Sequence, residues 1–143
     1  PNGGCTAAVT NELGKAKTTV LIQAYSFTSA PIAKALVDTR KRGVKVQVIL
    51  DSSQWTEKYS SADFIRNAGI PCLIDDAHAI AHNKVMVIDG QTVIPGSFNF
   101  TKAAEQSNAE NLLIIHDPAL AAKYTTNWTA HAKHSTVYKG KTK

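Results

Sequence analysis

No apolar run in this chain approaches the roughly 20 residues that a helix needs to cross a bilayer, so an integral membrane segment is not expected. Cysteine is scarce. Cys5 and Cys72 are too few for a disulfide scaffold and lack the paired spacing of a thiolate metal site. They can form one bridge in an oxidising compartment, but Cys72 lies in the apolar stretch Ile70 to Ile74, where a buried free thiol is the expected state. Internal repeats, low-complexity tracts and linker-like stretches are absent, which excludes solenoids and strings of domains. Acidic residues stop at Asp117, whereas Lys123, Lys133, Lys139, Lys141 and Lys143 follow. A net charge of +5 favours polyanionic partners, meaning nucleic acid or an anionic lipid surface. The alternative for the last lysines is a solvated, partly frayed tail. No cleavable leader is visible, but the chain opens at Pro1 rather than Met, which is the expectation for a processed or trimmed chain.

What is present is ordinary for a globular protein. The 143 residues, 43% hydrophobic and 19% charged, suit one domain, residues 1–143, with a real core. A helix is expected from near Thr6 to Lys17, then a buried strand over Thr18 to Ala24. Thr28 or Ser29 can cap a second helix with Pro31 in its first turn. That helix carries Ile32, Leu36 and Val37 inward and ends at Arg40-Lys41-Arg42-Gly43. Those cations read as helix-end electrostatics rather than a binding patch. Val44 to Leu50 is the next strand, and this order implies a parallel crossover. A polar loop, Asp51 to Ser60, follows at the strand's carboxyl end, where α/β sheets gather ligands. Then come a short helix over Ser61 to Ala68, a strand over Ile70 to Ile74, and hairpin arms at Val85 to Ile88 and Thr92 to Ile94 around the Asp89-Gly90 turn. Thr101 to Gln106 reads as a short helix and Asn111 to Ile115 as the last strand. A helix from Pro118 to about Lys133 has Leu120, Tyr124 and Trp128 on one core-facing stripe. The sum is an α/β fold, a mixed central β-sheet sandwiched between helices.

One segment carries chemistry. His82-Asn-Lys84 is followed, after four residues, by Asp89, and after six more by Gly96-Ser97-Phe98-Asn99. This run holds a nucleophile, a fixed positive charge and two neutral donors, the parts needed to attack a phosphodiester without a metal. His82 and Lys84 share one strand face about 7 Å apart, so both can reach one phosphate. Ser97 and Asn99 precede an expected helix start, where backbone N–H groups favour an anion. Asp89 reads first as a structural turn residue and second as a catalytic one. Trp55, Lys58 and Tyr59 mix aromatic and basic character. They can stack bases and hold phosphate, or form a solvated loop with one aromatic tucked inward. His78 and His82 have the i, i+4 spacing of helical metal ligands, but the following residues read as strand and no third ligand is near. No metal and no cofactor is therefore expected. His116, His131 and His134 read as surface residues.

These positions resemble the signature of the phospholipase D superfamily, met by His82, Lys84, Asp89, Gly96, Ser97 and Asn99. With Ala24-Tyr25-Ser26-Phe27-Thr28 upstream and Asn99-Phe100-Thr101-Lys102-Ala103-Ala104-Glu105 downstream, the chain looks like the small bacterial Nuc-type endonuclease branch over nearly its whole length. The resemblance implies that His82 forms a covalent phosphohistidine. It also implies that Glu110, where the family has an acid, orients the imidazole. It implies a homodimer as well, because this chain has one motif, larger relatives carry two, and small ones pair two chains. A metal-independent, sequence-nonspecific endonuclease acting on DNA, with RNA as a further polymer, is the first expectation. Phospholipid phosphodiester hydrolysis or phosphatidyl transfer is the second, and a nucleic-acid-binding module without turnover is the third. Periplasmic or secreted residence comes from the family alone. The family also places a strand ahead of the first helix, and Pro1-Asn2-Gly3-Gly4 resembles the turn after it, so a first strand is expected upstream of residue 1.

Overall fold

A computed structural model describes residues 4–25, 27–55, 61–76, 85–95 and 112–140, with the Trp55 side chain left out. The first helix, α1, runs Cys5–Gly14 and is followed by strand β1, Thr19–Ala24. Helix α2, Ala30–Lys41, starts where expected: Ser29 caps it, its hydroxyl accepting from the Ile32 N–H at 3.4 Å, with Pro31 in the first turn. Strand β2, Lys45–Asp51, leads into a 3-10 turn, Ser52–Trp55, inside the expected polar loop. Helix α3 is Ala62–Asn67 and β3 is Cys72–Asp75. The hairpin arms are β4, Val85–Ile88, and β5, Thr92–Pro95, followed by β6, Ile115–His116. Helix α4, Pro118–Lys133, is capped by the Asp117 carboxylate, which accepts from the N–H groups of Ala119 and Leu120 at 3.0 and 3.1 Å. Strand β7, Thr136–Val137, closes the described chain. The expected helix over Thr101 to Gln106 lies outside the described residues.

The described strands form one mixed sheet in the order β6-β5-β4-β1-β2-β3-β7. β1, β2 and β3 are parallel, as the strand–helix–strand order implied, and β4 runs antiparallel to β1. Helices α1 to α3 bury Val9, Leu13, Ile32, Leu36 and Ile65 against Val20, Ile22, Val46, Val48 and Ile74 on one face. On the other face α4 packs Ala121, Leu120 and Tyr124 against Val85, Val87 and Val93. Trp128 is buried there, and its indole N–H donates to the Ile22 carbonyl at 2.9 Å. The sandwich read from the sequence is the observed fold.

Two features differ from expectation. The segment after α4 is held rather than frayed as far as residue 138. β7 pairs with β3, and Tyr138, 1% exposed, donates its hydroxyl to Asp63 at 2.7 Å. The arginines at the end of α2 serve neighbouring helices more than their own. Arg42 donates to the Leu13 and Ala16 carbonyls at 2.9 and 3.1 Å, and Arg40 to Ala68 O at 3.3 Å. They thereby satisfy carbonyls at the ends of α1 and α3. Gly69, at φ +88, leaves room for this, since a Cβ there would sit 3.0 Å from the Arg40 guanidinium.

Candidate active site

The carboxyl ends of the parallel strands define one edge of the sheet. Ala24 pairs with Leu50, and Asp51 with Asp75, so β1, β2 and β3 all finish there. β4 begins at the same edge, because Val85 pairs with Gln23. β5 ends there too, because Pro95 pairs with Val85. The chain also returns to this point, with the Leu113 N–H donating to Pro95 O at 3.3 Å. Val85, Pro95 and Leu113 are therefore neighbours, and they follow Lys84, precede Gly96 and follow Glu110 in the chain. His82, Lys84, Ser97, Asn99 and Glu110 themselves lie outside the described residues, as do Lys58 and Tyr59. Trp55 ends the 3-10 turn, with only its backbone described.

The loops at this edge are tied together. The Gln54 side-chain oxygen accepts from the Phe27 N–H at 3.0 Å, and the Ser61 N–H donates to Phe27 O at 2.8 Å. Asp51, buried at the end of β2, accepts from the Ser53 N–H at 3.0 Å and turns the chain into the 3-10 segment. Gln23, 1% exposed and the register partner of Val85, has no hydrogen-bond partner for its side-chain amide among the described residues. An unpaired buried amide costs about 1–3 kcal/mol.

Asp89 lies at the opposite end of β4. Ile88 pairs with Val20 at the start of β1, while Val85 pairs with Gln23 near its end. The Asp89 carboxylate accepts from the N–H groups of Lys17, Thr18 and Thr19 and from the Thr18 hydroxyl, at 2.8 to 3.2 Å. Partial burial opposes its ionisation, but these hydrogen bonds outweigh burial and hold the carboxyl below its ordinary value. Its φ of 57° and that of Gly90, 63°, close the hairpin. The catalytic assignment of Asp89 thus gives way to the structural one. It anchors the start of β1 from the far end of the hairpin.

Cys72 carries a free thiol, and burial pushes it up to about 12. Among the histidines read as surface residues, His116 is exposed and shares a 3.0 Å hydrogen bond with Thr92. His131 is not merely a surface residue. Its Nδ1 lies 3.0 Å from Asp75 Oδ2, and that carboxylate is fully buried. His134 stands beside it, ring centroids 5.5 Å apart. Sequence reading missed this cluster because Asp75 lies 56 residues from His131 and carries no local signal. The i, i+3 spacing of the two histidines at a helix end was the signal available. Among the described residues no helix is long and apolar enough to cross a membrane.

Residues 9–131 match the family model described as "Cardiolipin synthase, PLD-like domain". A phospholipase D of Rickettsia conorii is 45% identical over 128 residues, which cover 90% of this chain. The aligned part spans 64% of that protein, so the chain corresponds to less than two thirds of its length. Among solved structures, Nuc of Salmonella typhimurium, a phospholipase D family member, superposes with a TM-score of 0.92 at 40% identity, covering 96% of this chain and 93% of Nuc. NucT of Helicobacter pylori gives 0.86 at 25% identity, covering 92% and 89%.

Proposed function

The chain belongs to the phospholipase D superfamily, and from that premise we propose that it is a metal-independent endonuclease that hydrolyses phosphodiester bonds of DNA through a covalent phosphohistidine. The observation that carries this reading is the meeting of Val85, Pro95 and Leu113 at the carboxyl edge of the sheet. These anchors adjoin, in sequence, the three segments that supply His82 with Lys84, Ser97 with Asn99, and Glu110. The close overlap with Nuc and the +5 net charge support a polyanionic nucleic acid as substrate.

In this mechanism the His82 imidazole attacks phosphorus, forming an N–P bond as the P–O bond to the leaving alkoxide breaks. Lys84 and Asn99 neutralise charge on the non-bridging oxygens, and Ser97 adds a donor. Glu110 accepts from the other ring N–H and holds the tautomer. The alkoxide takes its proton from a second imidazole, the His82 of a partner subunit. That imidazole, now neutral, removes a proton from the water that attacks the phosphohistidine. One neutral and one protonated imidazole give a bell-shaped pH–rate profile. Trp55, Lys58 and Tyr59 follow β2 in the chain and bind the polymer. Periplasmic or secreted residence belongs to the same reading.

A second reading, phospholipid phosphodiester hydrolysis or transfer, is favoured by the name of the Rickettsia relative. Supercoiled plasmid in excess EDTA separates the two. Nicking that persists under chelation and disappears in His82→Ala, with the fold intact by circular dichroism, is the expected result. Headgroup release from phospholipid vesicles without nicking assigns the lipid reaction instead, and near-parental nicking by His82→Ala removes the proposed nucleophile.

A further inference from the structure

We propose that Asp75, His131 and His134 form a binding site for a zinc-type divalent transition-metal ion, built from side chains other than those assigned to the phosphodiester chemistry. One ligand atom from each of the three side chains lies within 4.8 Å of the other two. Imidazole and carboxylate ligands bind zinc at about 2.0–2.2 Å, so tetrahedral ligand atoms stand about 3.3–3.5 Å apart. Asp75 Oδ2 and His131 Nδ1, at 3.0 Å, are already near that spacing. Bringing the widest pair from at most 4.8 Å to it is a closure of about 1.5 Å or less.

The local structure suits that movement. Asp75 ends β3 and is fully buried, so its carboxylate is a fixed ligand. His131 stands in the last turn of α4, and its imidazole already faces that carboxylate. His134 is the cap residue just beyond, exposed and at φ −114, ψ 18. A side chain there can adjust without disturbing the helix. The carboxyl end of a helix also carries partial negative charge that favours a cation. Three protein ligands leave one position for water. The bound ion fastens the end of α4 to β3, just before the chain enters β7.

The site is independent of the nuclease reading, and its test reads binding rather than turnover. The full chain, stripped with EDTA and desalted, is titrated with zinc by calorimetry and with cobalt by visible absorption. One ion per chain, the absorption of tetrahedral cobalt, and a Tm rise of about 5–10 °C at a hundredfold excess of free zinc over Kd are expected. His134→Ala, at an exposed position, keeps the fold and weakens zinc binding at least tenfold. Asp75→Asn does the same, whereas His116→Ala leaves binding unchanged. Failure of the parent to bind overturns the proposal. So does binding that survives His134→Ala undiminished, or that is lost instead in His82→Ala or Cys5→Ala.

Discussion

Asp89 shows how one residue type at one position supports two different readings. Its place in the motif spacing marked it as a catalytic candidate, while the following glycine marked it as a turn residue. The turn chemistry was legible in the sequence. The acceptors' use was not, because Lys17, Thr18 and Thr19 lie 70 to 72 residues away. Replacing Asp89 by alanine strands their donors and strains a φ of 57°, at an expected cost of about 1–3 kcal/mol in thermal or urea unfolding. Asn tolerates that φ and keeps one acceptor, so Asp89→Asn loses less. The pH dependence distinguishes charge from shape. The carboxyl is held below its ordinary value in the folded state, so its contribution is present above the unfolded value of 3.8 and lost as pH falls through the lowered one. The gap in Tm between the parent and Asp89→Asn should therefore narrow in acid. A gap that is constant from pH 7 to about pH 2 would remove the ionised carboxylate from the account. Plasmid nicking per folded molecule should stay within a few-fold of the parent in Asp89→Asn.

Most of the strands and helices expected from hydrophobic period and capping residues are present, because those signals are local, although the strand expected over Asn111 to Ile115 is instead Ile115–His116. Ser29 with Pro31 marked one helix start, and the helix read from Pro118 begins there in the structure as well. β7 had no such signal. Thr136 and Val137 are both exposed, and only Tyr138 beyond them is buried. What holds β7 is the partner it covers. Leu73 pairs with Val137, Ile74 with Thr136, and the Tyr138 N–H donates to Cys72 O at 2.8 Å. This clasp protects the β3 edge, which would otherwise offer unpaired backbone groups. It also has an alkaline limit. Burial, then the hydrogen bond to Asp63 and its charge, raise the Tyr138 hydroxyl above its ordinary value, and burial raises the Cys72 thiol from 9.0 to about 12. Both groups are neutral in the folded state, so their contribution is intact below the unfolded values and is lost as pH rises past them. Stability should decline from about pH 9 upward. Cys72→Ala should flatten the early part of that decline. It also costs about 1 kcal/mol or more at neutral pH through lost packing. Tyr138→Phe should flatten the part above about pH 10 and lose about 1–3 kcal/mol with the Asp63 hydrogen bond. An alkaline limb identical in parent and both variants would show that the clasp does not set it.

At the scale of the whole molecule, the sandwich was legible, and so was the edge where the parallel strands end, because strand order lies along the chain. Contacts between distant segments were not. The Asp75–His131 pair, the arginine caps on foreign helices and the return of Leu113 to Pro95 all join positions with no common local pattern. The largest step from one chain to a working assembly is the second imidazole. A single chain carries one His82, and the proposed reaction uses two, one attacking and one protonating the leaving group. For the proposed dimer, Leu113 is the position to test. It is 54% exposed and sits beside Pro95 at the sheet edge where the motif segments begin and end. Sedimentation velocity should find a dimer at micromolar concentration, and Leu113→Asp should shift it toward an inactive monomer. Subunit mixing tests the shared site more sharply. After exchange with an equal amount of His82→Ala, random pairing leaves one quarter of dimers with two intact imidazoles, and activity per parental chain should fall to about half. Independent sites predict no fall at all. An active monomer, or activity unchanged after proven exchange, would return the leaving-group proton to a residue within the same chain.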